Sequence, residues 1–337
     1  MDDTIRDQLV SYLADAHSIE TQALVQMRAA PEIAGSPGLE SIFREHETET
    51  EEHERLVKQR LEAYDASPSK LKELVMRAGG GGFAAFAALN RDTPGKLTAH
   101  AYSYEHLELA SYALLRRVAE RLGDPETAAV AARICPQEEA MGRRLADHFD
   151  EAAAASLAKV QPDDLQDQVT TYLADAHALE SQAIALLEHG KRIVGDDALA
   201  ALMDEHLAET REHERLVRER LQALGSSPSR RKDAALAIGG LNWGGFFQAH
   251  PDTPGKLVAF AYAFEHLEIA GYELLRRVAE RAGDAETVAL TQRILADERG
   301  AAGKLSASFD RAAVAALAAQ GIETEARFER PAGQPLR

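Results

Sequence analysis

Apolar residues recur along most of this chain at the three- and four-residue spacing of amphipathic helices, and the whole pattern occurs twice. Residues 7–150 match residues 167–310 without a gap, at a constant offset of 160 positions. A repeat unit of domain size indicates a tandem duplication, since the units of a solenoid are far shorter. We therefore predict one domain at 1–158, a second at 159–318, and a disordered tail at 319–337.

Each unit contains four long helical patterns, A to D, which in the first unit span 4–29, 39–64, 93–122 and 125–157. Pro31 and the GSPG turn at 35–38 predict the end of helix A, and Pro94 lies in the first turn of helix C. Pro136 predicts a kink in helix D, whereas Ala296 at the same place in the second unit predicts a straighter helix. The long connection between B and C, with its glycine run at 79–82, lets those two helices run parallel.

Polar residues interrupt the apolar face of helix B at fixed places. The segment EHETETEEHERLV at 45–57 recurs as EHLAETREHERLV at 205–217, with ten of thirteen positions identical. At about 100° per residue, His46, Glu49 and His53 fall in one narrow sector among apolar residues. The other helices add carboxylates to their core faces. The polar residues predicted to face the two cores are Glu20, His46, Glu49, His53, Glu105, Glu108 and Glu138, and Glu180, His206, Glu209, His213, Glu265, Glu268 and Glu298.

Five carboxylates and two imidazoles aimed at one core need a physical explanation. A buried carboxylate is costly unless it is protonated, paired or bound to a metal. Any single one is explained equally well as a satisfied core group, but the core faces carry too few Lys and Arg to pair with all five. Carboxylate oxygens with imidazole nitrogens suit Fe or Mn, and two such ions can share bridging carboxylates. We predict one dinuclear Fe or Mn site in each domain.

Other polar residues receive a simpler interpretation. Glu139 points about 100° away from the core-facing Glu138, and Arg299 replaces it in the second unit, so Glu139 is predicted to lie at the surface. His17 and His177 are expected to be half-exposed, with a hydrogen bond to a ligand residue as the alternative. His106 and His266 are expected to be structural. Tyr112 and Tyr272 are expected to be packing residues, with a hydrogen bond to a ligand carboxylate as the alternative.

Composition narrows the function classes further. The net charge of −17 and the absence of a basic run exclude nucleic acid as a partner. The single cysteine, Cys135, is replaced by Leu295 in the repeat, so neither a disulfide framework nor a cysteine zinc site is expected within the chain. No run of 18 apolar residues and no apolar leader occurs, so we expect a cytoplasmic protein without a membrane partner.

These motifs resemble the ferritin-like superfamily, rubrerythrin in particular, and within it the bacterial YciE/YciF-like branch. The resemblance covers about residues 4–155 and 164–315 and rests on H-x-x-E-T-x-x-H at His46–His53, EH-x-E at Glu105–Glu108, and Glu138. It implies two tandem, all-α, ferritin-like four-helix bundles, each with a non-haem di-iron or dimanganese centre and a long crossover between B and C. It also implies a role in stress response.

The resemblance has two departures. Helix B carries His-x-x-Glu-x-x-x-His where relatives have Glu-x-x-His, and Met141 and Ala301 stand where helix D carries a ligand histidine. We therefore expect helix B to supply both imidazoles of each site.

Relatives of this kind oxidise Fe(II) or reduce peroxide, which makes metal ions and O₂ or peroxide the expected partners. Two alternatives remain open: a non-catalytic stress or metal-buffering protein, and a di-iron oxygenase of an organic substrate whose access path the glycine-rich crossover lines. Extra apolar positions on helices A and C, such as Leu107 and Leu114, indicate that the fused units imitate a homodimer.

Overall fold

A computed structural model describes residues 3–67, 93–227 and 253–323, and within these ranges the chain contains helices and no strand. The glycine runs, most of both crossovers and the end of the tail lie outside the described residues. The helices of the first half are α1 Asp3–Ile33, α2 Pro37–Ala63, α3 Thr93–Leu122, α4 Pro125–Asp147 and α5 Phe149–Leu157. A 3₁₀ turn, Pro162–Asp164, leads into α6 Leu165–Ile193, α7 Asp197–Ala223, α8 Thr253–Ala282, α9 Ala285–Ala307 and α10 Phe309–Ala318. None of these helices is both long and apolar enough to cross a membrane.

Helix α1 runs past the predicted stop. Pro31 lies inside its last turn, and the helix ends just before Gly35, whose φ of 74° is in the left-handed region that favours glycine. A proline near the C-terminus removes only one backbone hydrogen bond, so it does not end the helix by itself. Ser36 then caps α2 by accepting a hydrogen bond from the Leu39 N–H at 3.3 Å. The connection between α1 and α2 is thus only three residues long.

Helix D is not continuous, contrary to the prediction, and the interruption is not at Pro136. Pro136 lies within α4, and the break occurs at His148, whose backbone N–H bonds to Leu145. His148 Nδ1–H donates to the Arg144 carbonyl at 2.7 Å, the group that its own N–H would bond in a regular helix. In the second half, Ser308 breaks the helix in the same place by donating to the Leu305 carbonyl at 2.7 Å.

The helix directions agree with the predicted crossover. A Cβ on Gly35, after the end of α1, would meet the Pro94 ring at the start of α3, while Tyr112 further along α3 reaches back to Glu20. Helices α1 and α3 are therefore antiparallel. Since the short turn also makes α2 antiparallel to α1, α2 and α3 run parallel. Each half is an all-α four-helix bundle, and the predicted fold class is confirmed.

The two halves pack against each other mainly through α3 and α8. His106 and His266 stack there with ring centroids 3.5 Å apart, and burial lowers the pKa of His106 to about 4 and that of His266 below its usual range, so both rings are neutral. Reciprocal ion pairs flank this contact: Lys96 Nζ lies 3.3 Å from Asp175, and Lys256 Nζ lies 2.7 Å from Asp15. Residues separated by 160 positions in the sequence therefore make equivalent contacts in the two halves.

Candidate metal centre

All four helices of the first half place polar side chains in its core. Glu20 comes from α1, both histidines from α2, two carboxylates from α3, and Glu138 from α4. Each of these six side chains belongs to a residue no more than 1 % exposed: Glu20, His46, His53, Glu105, Glu108 and Glu138. Their second-half counterparts are also buried: Glu180, His206, His213, Glu265, Glu268 and Glu298. The sequence pattern therefore identified residues that the fold brings together.

The six side chains of the first half form two overlapping groups. One contains His46, Glu105, Glu108 and Glu138, and the other contains Glu20, His53 and Glu138. Within each group, one ligand atom per residue lies within 4.8 Å of the others. Glu138 is common to both groups, as Glu298 is to the two groups of the second half. Both halves therefore have the donor arrangement of two adjacent metal positions that share a carboxylate.

One nitrogen of each histidine faces this cluster. His46 Nε2 lies 3.0 Å from a Glu105 oxygen and 3.6 Å from one of Glu138. His53 Nδ1 lies 2.8 Å from the other Glu138 oxygen and 3.8 Å from Glu20. Both imidazoles of α2 thus reach the cluster, as the departure from the usual helix D motif led us to expect.

Many polar atoms of the cluster have no hydrogen-bond partner among the described residues. Both carboxylate oxygens of Glu105, Glu108 and Glu138 lack a hydrogen-bond partner within the described ranges. His46 Nε2 also lacks one there, because its close approach to Glu105 does not have hydrogen-bond geometry. No Lys or Arg in the described part of the chain makes an ion pair with these three carboxylates. Glu105 and Glu138 each lie within 3.0 Å of an imidazole nitrogen, whereas Glu108 has no ion-pair partner among the described residues. A buried polar group left without a partner costs roughly 1–3 kcal/mol or more. Burying this cluster without a metal therefore lowers the stability of the fold.

The ionisation behaviour of the cluster reflects this penalty. Burial, followed by repulsion from Glu138, raises the pKa of Glu20 to about 8, and burial likewise raises the pKa of Glu105 to about 7. The pKa of Glu108 is raised well above its usual range by burial and by its three carboxylate neighbours. Burial alone would lower the pKa of His53, but the Glu138 carboxylate raises it to about 9. Without a metal, the cluster retains protons at neutral pH.

Glu49 lies outside both groups, unlike its predicted place on the core face. Its side chain is 30 % exposed and accepts hydrogen bonds from His46 Nδ1–H at 2.8 Å and from Arg144 at 2.6 Å. Those two donors, opposed by partial burial, lower the pKa of Glu49 to about 2. Glu209 has the same position beside His206, with the oxygen 3.3 Å from Nδ1. Glu49 therefore orients an imidazole rather than joining the cluster.

The spacing of α2 contains a signal that distinguishes Glu49 from the core. Six of the eight buried positions of α2 alternate steps of four and three, as in a helix packed along one seam: Leu39, Phe43, His46, Thr50, His53 and Val57. That alternation places Thr50 in the seam and Glu49 beside it. Angular position alone does not separate these two residues, because a sector centred on His46 includes both Glu49 and Thr50.

Two further contacts surround the cluster of each half. Tyr112 O–H donates to Glu20, and Tyr272 O–H to Glu180, so these tyrosines are hydrogen-bond partners and not only packing residues. His53 Nε2, the outer nitrogen of this ring because Nδ1 faces the cluster, lies 3.0 Å from the side-chain amide oxygen of Gln137. The outer nitrogen of His213, also Nε2, lies 3.3 Å from the Asp297 carboxylate. No periodic signal marks Gln137 or Asp297 in the sequence, because their role depends on the partner helix.

The other sequence candidates lie away from the cluster. The Glu139 side chain is 56 % exposed and pairs with Arg143, which confirms the predicted surface position. His17 is buried and donates to Glu54 at 2.8 Å, contrary to the half-exposed position expected for it. His106 and His266 form the contact between the halves described above, consistent with a structural role.

The arrangement can hold metal ions. Each half offers buried oxygen and nitrogen donors in two groups that share one carboxylate. The geometry leaves the identity of the metal open, because the same donors serve several divalent ions.

No solved structure matches this chain. Two segments, residues 4–158 and 164–318, each match the same family, described as a domain of unknown function, DUF892. Together they cover nearly all of the chain, and they are separated by the offset seen in the sequence repeat. The chain belongs to this DUF892 family and carries its domain twice.

Proposed function

We propose that each half holds a dinuclear iron or manganese centre and that the protein oxidises Fe(II) or reduces peroxide there, as ferritin-like proteins of the stress-response type do. One ion would bind between His46, Glu105 and Glu108, and the other between Glu20 and His53. Glu138 would bridge them. The second half repeats this arrangement with the ligands His206, Glu265 and Glu268 for one ion, Glu180 and His213 for the other, and Glu298 as the bridge.

One observation carries this proposal. Both oxygens of Glu105, Glu108 and Glu138 are buried without hydrogen-bond partners among the described residues. Burial of that many carboxylates is explained when divalent cations supply the missing interactions, and oxygen donors combined with imidazole fit Fe or Mn. The same residues are retained in both copies.

The roles of the protein side chains follow from their contacts. When bound, a pair of Fe(II) or Mn(II) ions supplies two electrons, the number that converts one peroxide and two protons into two waters. Glu49 and Gln137 hold the outer nitrogens of His46 and His53. When a metal ion replaces the second ring proton, the inner nitrogen of each ring would therefore present its lone pair to the cluster. Tyr112 fixes one oxygen of Glu20 and leaves the other for a ligand.

The two alternative functions have different support. The low exposure of the first cluster favours metal storage without catalysis, because small reactants do not reach His46 directly. An oxygenase needs a substrate cavity beside the cluster. The cavity of about 300 Å³ in the described structure lies instead between the halves, beside Tyr102, His266 and Arg299, and no cluster carboxylate lines it.

Metal analysis tests the proposal directly. Protein reconstituted anaerobically with Fe(II) or Mn(II) is expected to bind about four ions per chain, since each two-metal site holds a pair. The Fe(II) protein is then expected to consume O₂ or peroxide while its iron is oxidised. Two or fewer ions per chain would contradict the dinuclear arrangement. Four ions without consumption of either oxidant would favour buffering.

Glu49 provides a prediction at the edge of the centre. Glu49→Leu removes the acceptor of His46 Nδ1–H and frees Arg144, so it is expected to weaken metal binding in the first half by about 10- to 100-fold. Glu49→Gln keeps a carbonyl acceptor and should weaken it less. Chelator competition measures both affinities. Equal affinities for Glu49→Leu and the unsubstituted protein would show that Glu49 does not position the imidazole.

The same proposal treats the fused halves as an intramolecular pseudo-dimer with domain limits near 1–158 and 159–318. The reciprocal pairs Lys96–Asp175 and Lys256–Asp15 support it, because an isologous dimer makes each contact twice.

A further inference from the structure

The two clusters have matching ligands but different surroundings. The differences are concentrated where His46 and His206 approach the surface, between the second and fourth helices of each half. Met141 of the first half corresponds to Ala301 of the second, and Arg144 corresponds to Lys304.

The first cluster is sealed at this end. His46, Phe43 and Met141 are all 0 % exposed. Outside them, Arg144 donates to Glu49 at 2.6 Å, and Glu49 in turn accepts from His46. A layer of apolar side chains and a charge-assisted hydrogen bond therefore separate the imidazole from solvent.

The second cluster is also buried, but it is less closely packed at the same end. A cavity of about 10 Å³ lies beside His206 and is lined by Met203, Ala301, Lys304 and Leu305, among others. That volume is close to the minimum that holds one water molecule. The His206 side chain is 6 % exposed, and Ala301, which lines the cavity, is smaller than Met141 at the same place in the first half.

Lys304, the cation beside this cavity, is also held less firmly than Arg144 in the first half. Lys304 Nζ lies 3.5 Å from Glu209 and 3.1 Å from Glu205, and its side chain is 41 % exposed. A lysine ammonium lacks the planar fork with which Arg144 holds a carboxylate. Such surface pairs contribute little stability, so Lys304 moves aside at low cost.

We propose that the second centre exchanges metal ions and small oxidants with solvent through the cavity at Ala301 and Lys304, while the first centre retains its ions. The chain would then combine one labile and one retained centre, although their ligands are the same. This inference rests on the proposed function, since it requires that both clusters bind metal.

Metal release measures the difference without reference to activity. The full chain is loaded with Mn(II), mixed with excess EDTA, and the released Mn(II) is followed over time. We expect two phases of equal size whose rates differ by about 10-fold or more. Glu298→Gln, which removes the shared carboxylate of the second half, should abolish the fast phase and leave the slow one.

Substitutions at three gate residues, Met141, Ala301 and Lys304, test whether these side chains control metal release. Ala301→Met should fill the cavity and bring the fast phase close to the rate of the slow one, and Met141→Ala should accelerate the slow phase. Lys304→Arg, at the surface, should slow the fast phase with little risk to folding. Ala296→Met places the same side chain at an exposed position of α9 and should change neither rate.

The outcomes separate this inference from the proposed function. A single release phase from a chain with both centres loaded would overturn the inference and leave the metal sites intact. Two phases that none of the three gate substitutions changes would also overturn it. A chain that binds no Mn(II) or Fe(II) would instead overturn the proposed function.

Discussion

Glu138→Gln is expected to remove both metal ions from the first half and to leave the second half loaded, so that the content of the chain falls from about four ions to about two. Glu138 is the one residue that belongs to both ligand groups of the first half. A glutamine of the same shape keeps one oxygen but loses the charge that would bind two cations. Elemental analysis after reconstitution measures the change.

The adjacent glutamate is a matched control. Glu139→Gln makes the same chemical change one position further along α4, where the side chain is 56 % exposed and pairs with Arg143. Glu139→Arg introduces the residue that the second half already has at Arg299. Both substitutions should leave the metal content at about four ions, and equal loss in Glu138→Gln and Glu139→Gln would contradict the assignment.

Glu138→Gln also separates a metal site from a structural ion pair. In the metal-free protein, Glu138 lies 2.8 Å from His53 but repels Glu20 and Glu108. If the cluster is built for metal, removal of this charge should raise the melting temperature of the metal-free protein and lower that of the loaded protein. A lower melting temperature in both forms would indicate that the Glu138–His53 pair stabilises the fold by itself.

The second large effect is an opposite pH dependence of stability with and without metal. In the folded metal-free protein the pKa of Glu20 is raised from 4.5 to about 8, and that of Glu105 from 4.5 to about 7. The folded state therefore holds protons that the unfolded state releases. Its stability is greatest below pH 4.5 with respect to these groups and is lost as the pH rises through 7 and 8.

The histidines act in the same direction at higher pH. The pKa of His53 is raised from 6.5 to about 9, and so is that of His213. Their contribution is complete below pH 6.5 and disappears as the pH rises through 9. The metal-free protein should therefore become less stable from about pH 4.5 to pH 9 as far as the cluster is concerned.

Metal reverses this trend because it binds the deprotonated ligands. A site loaded at about 100 times its Kd gains about 2.7 kcal/mol, which corresponds to a rise in Tm of roughly 5 °C or more for a half of this size. Melting curves of the metal-free and loaded protein between pH 5 and pH 8 measure the difference. His106 and His266 make their contact at the boundary between the halves, so we expect their effect to be alike in both forms and to cancel when the two curves are subtracted.

We expect the difference in Tm to grow as the pH rises from 5 to 8. Identical melting of the two forms at neutral pH with saturating Fe(II) or Mn(II) would refute the metal assignment. A difference that shrinks with rising pH would show that the bound ion does not replace protons on the cluster.

The sequence was sufficient to predict the duplication, the four helices of each half and most of the cluster. Helical periodicity is a local property, and charged residues that recur on an apolar face are recognisable without coordinates. Glu20, Glu105, Glu108 and Glu138 were all identified in this way. The parallel course of α2 and α3 followed from the length of their connection alone, because a long crossover permits it.

Only the tertiary structure decided which polar residues at the margin of a helix face belong to the cluster. Glu49 and Thr50 are neighbours on α2, and the packed helices bury Thr50 while Arg144 holds Glu49 at the surface. The break at His148 likewise depends on a side chain that takes a backbone carbonyl from the helix. Angular position about one helix axis does not contain this information.

The contrast between the two centres also depends on packing between helices. The substitutions Met141 to Ala301 and Arg144 to Lys304 are visible in the aligned repeats, but nothing in the sequence says that they lie over a histidine. Whether a small residue leaves a cavity depends on what the neighbouring helices place against it. The sequence by itself therefore determined the chemistry of the two cores, and the packing of the bundles decided how open each one is to solvent.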